Sequence, residues 1–351
     1  MKRMFVAGSV KVKMPSSGAG KATKLLSILS SSDFELTVDA EADCFLSIDH
    51  NEVAYRSYLR MGGTPDRAFL VRLEPPSVFP AQYRGSIAEK YRCIYSPGSV
   101  LQNPSGFFGW PYQKYANPNI PTVSAEGIDE SFYPEITQYY EWVNRSIVLS
   151  MVAANKVAPA FGQHYALRRK FAHNLQSLDF QLYGPLWSAP IRLKIRHRLA
   201  VTYFAIRQGT IPNLNSIWGN LLFNYPRSLG EVHDKHEVLK DSKFSLVFEN
   251  SDTYVSEKLF DSIINGCIPV YFGPELSKVG LPDNLIIKYM GPIEDLVLFL
   301  EELSQDTIQE KLNAISEFLH SKDFKENWFE TSVYQRIVKD ITYQTNGICS
   351  L

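Results

Sequence analysis

Between Phe244 and Pro274 the spacing of apolar and polar positions changes period twice. Phe244-Ser245-Leu246-Val247-Phe248 is a short apolar run of the kind shown by a strand buried on both faces. Glu249-Asn250-Ser251-Asp252 interrupts it with turn-forming and capping residues. From Val255 onward, Leu259, Ile263 and Ile264 recur at helical spacing, and Gly266 stands where a helix C-cap belongs. Ile268 to Phe272 reads as a second strand, closed by Gly273-Pro274. The pattern predicts one βαβ unit. In open α/β sheets ligands bind beyond the carboxyl ends of the strands. Glu249, Asn250, Glu257 and Lys258 fall at that edge, beside a helix N-terminus that favours anions. The segment therefore predicts a site for a phosphorylated ligand.

The same alternation of periods runs along the rest of the chain. Strands are predicted at Met4 to Val12, Phe34 to Val38, Cys44 to Ile48, Ala68 to Leu73 and Cys93 to Tyr95, with helical pattern around Lys24 to Leu29 and Asn51 to Met61. Residues 97–135 are rich in Pro, Gly and aromatics and predict a long ordered loop segment. A second alternating series follows: strand Ser146 to Val152, helix Tyr165 to Leu178, and strand Gln181 to Tyr183 with Gly184-Pro185 as its stop. Residues 188–235 show no clear period but contain the basic run Arg192 to Arg198. Amphipathic helices at Thr307 to Leu319 and Val333 to Ile341 end the chain. The expected architecture is two α/β domains in tandem with a cleft between them, residues 1–140 and 141–351, the terminal helices belonging to the second.

Length and composition agree with that picture. The 351 residues suffice for two cores, and the chain is 45% hydrophobic and 21% charged, ordinary values for a globular protein. The 36 basic residues balance 37 acidic ones, which argues against a protein built around nucleic acid. Cys44, Cys93, Cys267 and Cys349 form no metal-ligand spacing, and Cys44 and Cys267 sit in or beside strand-like runs as expected of buried free thiols. The N-terminal residues lack an apolar stretch long enough for a signal peptide or membrane span, which predicts a cytoplasmic protein. The basic run 192–198 has two readings, a solvated face or a peripheral contact with anionic lipid. Ser17-Gly18-Ala19-Gly20-Lys21-Ala22-Thr23 suggests a phosphate loop but has Pro15 and Ala22 where that pattern needs Gly and Ser or Thr.

The ordered set FENS, YVSEKL and IPVYFG within Phe248 to Gly273 resembles the donor-site signature of the α1,3-fucosyltransferases, glycosyltransferase family 10. Two further segments resemble that family. Arg168 to Leu175 is similar to its R-x-x-F-x-x-x-L helix, aligned on Phe171, and Phe69 to Pro76 is similar to an N-terminal strand ending in a glutamate before a proline turn. The resemblance covers the chain well from about Ile147 to Leu281 and departs from the family in the short turn Asp252-Thr253 before Tyr254. It implies the GT-B fold, two Rossmann-like domains facing across a cleft. It also implies GDP-fucose as donor and inverting transfer of L-fucose to a hydroxyl of a glycan acceptor, free or lipid-linked, in α1,3-type linkage.

On that resemblance Glu74 is the catalytic base, and Arg168, Glu249, Asn250, Tyr254, Glu257 and Lys258 bind the GDP-sugar. Arg168 and Lys258 flank the diphosphate, where a planar fork and a point charge neutralise the leaving group. No Asp-x-Asp pair stands at a strand end and the histidines show no ligand spacing, so no cofactor or essential bound metal is expected. Taken as bare residues, Glu74 is also a strand-end carboxylate capping the Pro75-Pro76 turn, Glu257 a first-turn acid, Tyr254 a core tyrosine, and Glu249 and Asn250 turn-fixing groups. Two other functions remain open: the same scaffold using a different GDP-sugar, and a nucleotide- or carbohydrate-binding protein without catalysis.

Overall fold

The computed structural model describes residues 1–8, 23–73, 79–96, 122–124, 137–159, 162–207, 211–252 and 255–347. It divides into two compact units, Met1–Glu130 with Lys325–Leu351, and Ser131–Phe324.

Among the described residues the first unit is built on six parallel strands: β1 (Lys2–Gly8), β2 (Phe34–Thr37), β3 (Cys44–Ile48), β4 (Ala68–Val71), β5 (Cys93–Ser96) and β6 (Thr122–Ser124). Their order is β2-β1-β3-β4-β5-β6. Strand β6 lies inside the segment that the sequence predicts as loop. Strands β3 and β4 are buried at every position, which is why they read as unbroken apolar runs. The two-residue period sorts their side chains onto opposite faces. Met4, Val6, Leu46, Ile48, Phe69 and Val71 pack on one side, while Phe5, Phe45 and Leu70 pack on the other with Tyr55 and Tyr58 of the helix Glu52–Arg60.

The last helix corrects the expected domain assignment. Glu330–Gly347 belongs to the first unit, where Val333, Tyr334, Ile337, Val338 and Ile341 close the core with Leu25, Leu26 and Leu29 of the helix Thr23–Ser30. Tyr95 donates to Asp340 at 2.6 Å and Arg92 to Gln344 at 2.9 Å, fixing its register on the sheet. An apolar stripe announces that a helix must cover a core, but its period carries no information about which core.

Among the described residues the second unit has four parallel strands, β7 (Ile147–Val152), β8 (Phe180–Tyr183), β9 (Ser242–Phe248) and β10 (Ile268–Phe272), in the order β10-β9-β7-β8. Single bridges, Val270 to Ile287 and Leu182 to Ser228, extend both edges. The helix Tyr165–Asn174 joins β7 to β8, stopping short of the predicted Leu178, and Glu257–Ile264 joins β9 to β10. Gly266 takes φ 67° just past that helix, as its capping position requires. The unassigned stretch contains the helices Ile191–Arg207 and Leu214–Trp218, and the helix Lys235–Lys240 begins at its end.

Cys44, Cys93 and Cys267 are buried free thiols, and burial pushes Cys44 and Cys93 up to about 11 and Cys267 to about 12. Cys349, Glu74, Tyr254 and the segment from Ser17 to Ala22 lie outside the described residues. No described helix is long and apolar enough to cross a membrane.

Candidate functional site

Strand order places the candidate site before any side chain is considered. From β7 the chain runs to β8 on one side, and β9 returns to the other side of β7. The connections therefore diverge at the carboxyl ends of β7 and β9, the position where doubly wound sheets bind ligands.

The two loops leaving this point are tied together. The backbone N–H of His164 donates to Asn250 O at 3.1 Å, Gln163 and Ser251 form an antiparallel bridge, and His164 Nε2 lies 3.1 Å from Asp252 Oδ1. That histidine holds the Asp252 carboxyl below the usual carboxylate range. Asn250 thus contributes its carbonyl to the frame of the site.

Arg168 and Arg169 rise from the helix that follows β7, both with buried guanidinium groups. Arg168 Nη2 donates to Ala154 O at 2.7 Å, its guanidinium packs 4.6 Å from the centre of the Tyr165 ring, and its Nε is buried with no partner among the described residues. Burial lowers its proton affinity. Arg169, which the sequence does not single out, donates to Lys156 O at 2.8 Å and Ser216 O at 2.7 Å. It binds the loop after β7 to the helix Leu214–Trp218.

From β9 come Glu249 and, across the turn, Ser256, Glu257 and Lys258. Glu249 is 1% exposed. Its Oε2 accepts from Ser256 Oγ at 2.5 Å, while Oε1 is buried without a partner among the described residues. Burial raises its pKa despite the opposing pull of Lys258 and Ser256. Ser256 is the N-cap of the helix Glu257–Ile264 and also accepts from Lys258 Nζ at 2.7 Å. One hydroxyl therefore joins the carboxylate to the ammonium, with Lys258 Nζ 3.9 Å from Glu249 and 3.8 Å from Glu257. Burial alone would lower the Lys258 ammonium, but Glu257 and Glu249 outweigh it and hold it above its usual range, while Arg168 is near enough to oppose them. Glu257 itself is exposed.

Gly273 makes room for this arrangement. A Cβ there would meet Tyr271 Oη at 2.5 Å and Glu249 Cγ at 2.7 Å. The structure thus brings Arg168, Glu249, Asn250, Glu257 and Lys258 to one sheet edge. It adds Ser256 and Gly273, whose sequence signals are a serine one residue before a Glu-Lys pair and a glycine closing β10.

No family model matches the chain. Solved structures align over almost its full length. A cyanobacterial protein, Anabaena Alr3699/HepE in complex with UDP, has a TM-score of 0.53 at 12% identity, covering 98% of this chain and 100% of its own. An α1,3-fucosyltransferase has a TM-score of 0.50 at 13% identity, covering 98% and 90%. The fold is GT-B.

Curated relatives align over shorter stretches. An Arabidopsis thaliana α-(1,4)-fucosyltransferase is 28% identical over 141 residues, 35% of this chain and 34% of that protein. A putative fucosyltransferase-like protein of the same plant is 54% identical over 65 residues, 18% of this chain and 13% of that protein. A zebrafish (Danio rerio) GDP-fucose protein O-fucosyltransferase 3 is 33% identical over 78 residues, 21% and 17%. The chain resembles the fucosyltransferases. It spans about a third or less of these relatives' lengths. On this GT-B scaffold the fucosyltransferase-like chain places two cations and a buried carboxylate at the switch point of its second unit.

Proposed function

We propose that the chain is an inverting glycosyltransferase moving L-fucose from GDP-fucose to a hydroxyl of a saccharide acceptor, free or lipid-linked, in α1,3-type linkage. The observation that carries this reading is the convergence of Arg168 and Lys258, from two different βα connections, on the β7/β9 switch point beside Glu249. The names of the curated relatives supply the sugar.

In the proposed reaction Glu74 takes the proton of the acceptor hydroxyl. The acceptor oxygen attacks the anomeric carbon from the face opposite the nucleotide, and the bond from that carbon to the β-phosphate oxygen breaks. Negative charge gathers on the departing GDP. Lys258 meets it as a point charge and Arg168 as a planar donor, and the burial of both side chains strengthens these contacts. The scheme needs no metal. Glu249, Tyr254 and Glu257 are the proposed contacts to donor hydroxyl groups, and the buried Oε1 of Glu249 is an acceptor in need of a donor.

A donor panel with the purified protein tests the proposal. Hydrolysis or transfer with GDP-fucose, and a Glu74→Gln variant that binds GDP but does not turn over, are the expected results. Turnover confined to another sugar nucleotide would remove the fucosyl assignment, and full activity of Glu74→Gln would remove the base. GDP binding without turnover of any sugar nucleotide would leave a binding protein.

A further inference from the structure

We propose that the helix Ile191–Arg207 docks the protein on an anionic lipid surface. The helix buries the wrong residues for a core element. Only Arg198 and Ala205 are buried, whereas Leu199 (55%), Tyr203 (67%) and Ile206 (61%) are exposed, as are Leu193, Ile195 and Phe204. Arg198 is drawn inward to donate to Ile217 O at 2.7 Å, and this bond fixes the helix's rotation. Ile195, Leu199, Tyr203 and Ile206 recur at intervals of three and four residues and form an outward apolar row. Arg192, Arg196 and Arg207 stand beside that row, all exposed.

Charge identifies the occupant. No Asp or Glu occurs between Asp179 and Glu231, and the helix alone carries Arg192, Lys194, Arg196, Arg198 and Arg207. Two copies of such a face would repel each other, which disfavours self-association. A polyanion without an apolar phase would satisfy the arginines and leave Leu199, Tyr203 and Ile206 in water. A bilayer containing anionic lipid satisfies both, because apolar side chains enter the headgroup boundary while arginines stay at the phosphates. The segment after the helix, tied to it through Arg198, adds exposed Ile211, Leu214 and Leu222. The inference is independent of the sugar transferred, since none of these residues lies at the switch point.

Sedimentation with vesicles, without any nucleotide sugar, tests it. The full chain is expected to pellet with phosphatidylcholine vesicles containing phosphatidylserine, to remain in the supernatant with phosphatidylcholine alone, and to be released by salt. The triple variant Arg192→Gln, Arg196→Gln, Arg207→Gln should weaken partitioning by about a hundredfold, from about a fivefold effect for each arginine. Leu199→Gln with Ile206→Gln should also release the protein, with an unchanged circular dichroism spectrum. Equal binding to neutral vesicles, no binding to anionic ones, or variants that bind like the parent would overturn the proposal. So would dimerisation lost in the Leu199 and Ile206 variant, or binding to duplex nucleic acid while vesicles are ignored.

Discussion

Replacing Ser256 by alanine removes the one hydroxyl that Glu249 and Lys258 share. Two losses follow from the geometry. The helix Glu257–Ile264 loses its N-cap, worth about 1 kcal/mol. A buried carboxylate loses a hydrogen bond, worth about 1.5–3 kcal/mol when the acceptor is charged. Because the two share an atom they will not add fully, so the expected loss is about 2–4 kcal/mol. The loss should also depend on pH. Burial already raises the Glu249 pKa, and removing Ser256 raises it further, so the variant's penalty grows as pH rises through that pKa. Urea unfolding followed by tryptophan fluorescence reads the effect, with Trp142, Trp187 and Trp218 reporting on the second unit. Glu249→Gln removes the charge that needs the hydroxyl, so the double variant should be less damaged than the sum of the single ones by about 1–3 kcal/mol. A Ser256→Ala loss below about 0.5 kcal/mol, or single losses that simply add, would refute the coupling.

Three further outcomes follow from other contacts. Lys90, Arg56 and His50 overcome the burial that would raise the Glu52 carboxyl and hold it down at about 2, so its contribution is present at neutral pH and is lost as pH falls from the ordinary carboxylate range towards about 2. Discounted for partial exposure, Glu52→Gln should cost about 1 kcal/mol at pH 7, and the difference from the parent should shrink steadily as acid unfolding curves approach pH 2. Gly273→Ala drives a methyl group into Tyr271 and the Glu249 stem, and should cost about 1–3 kcal/mol while weakening the proposed binding of GDP, measured by calorimetry. Arg169→Lys keeps the charge but loses the fork that holds Lys156 O and Ser216 O, and should lower second-unit stability by about 2–3 kcal/mol in the same urea assay.

How far the sequence could be read depended on whether period and burial agreed. From Phe244 to Pro274 they do: β9, its helix and β10 fall where the apolar pattern places them, and Glu249 and Lys258 reach the strand edge as expected. Ser256 was not legible as a link, because its role depends on Glu249 turning inward beneath Gly273, a tertiary fact. The helix Ile191–Arg207 defeats pattern reading for a different reason. It buries an arginine and exposes leucines, so its apolar positions do not mark a core. The C-terminal helix was legible as a helix but not as part of the first unit, because β1 to β5 and Val333 to Ile341 are brought together only by folding.

The discontinuity of the first unit sets an order for folding during synthesis. Residues 131–324 emerge as one uninterrupted piece, with all four strands of the second sheet available to pair. The first sheet emerges earlier, yet its core around Leu25, Leu29, Phe69 and Val71 stays incomplete until Val333 to Ile341 leave the ribosome. The usual expectation that the N-terminal domain matures first is therefore reversed here. A released chain truncated after residue 329 should present a protease-resistant second unit and a cleavable first one.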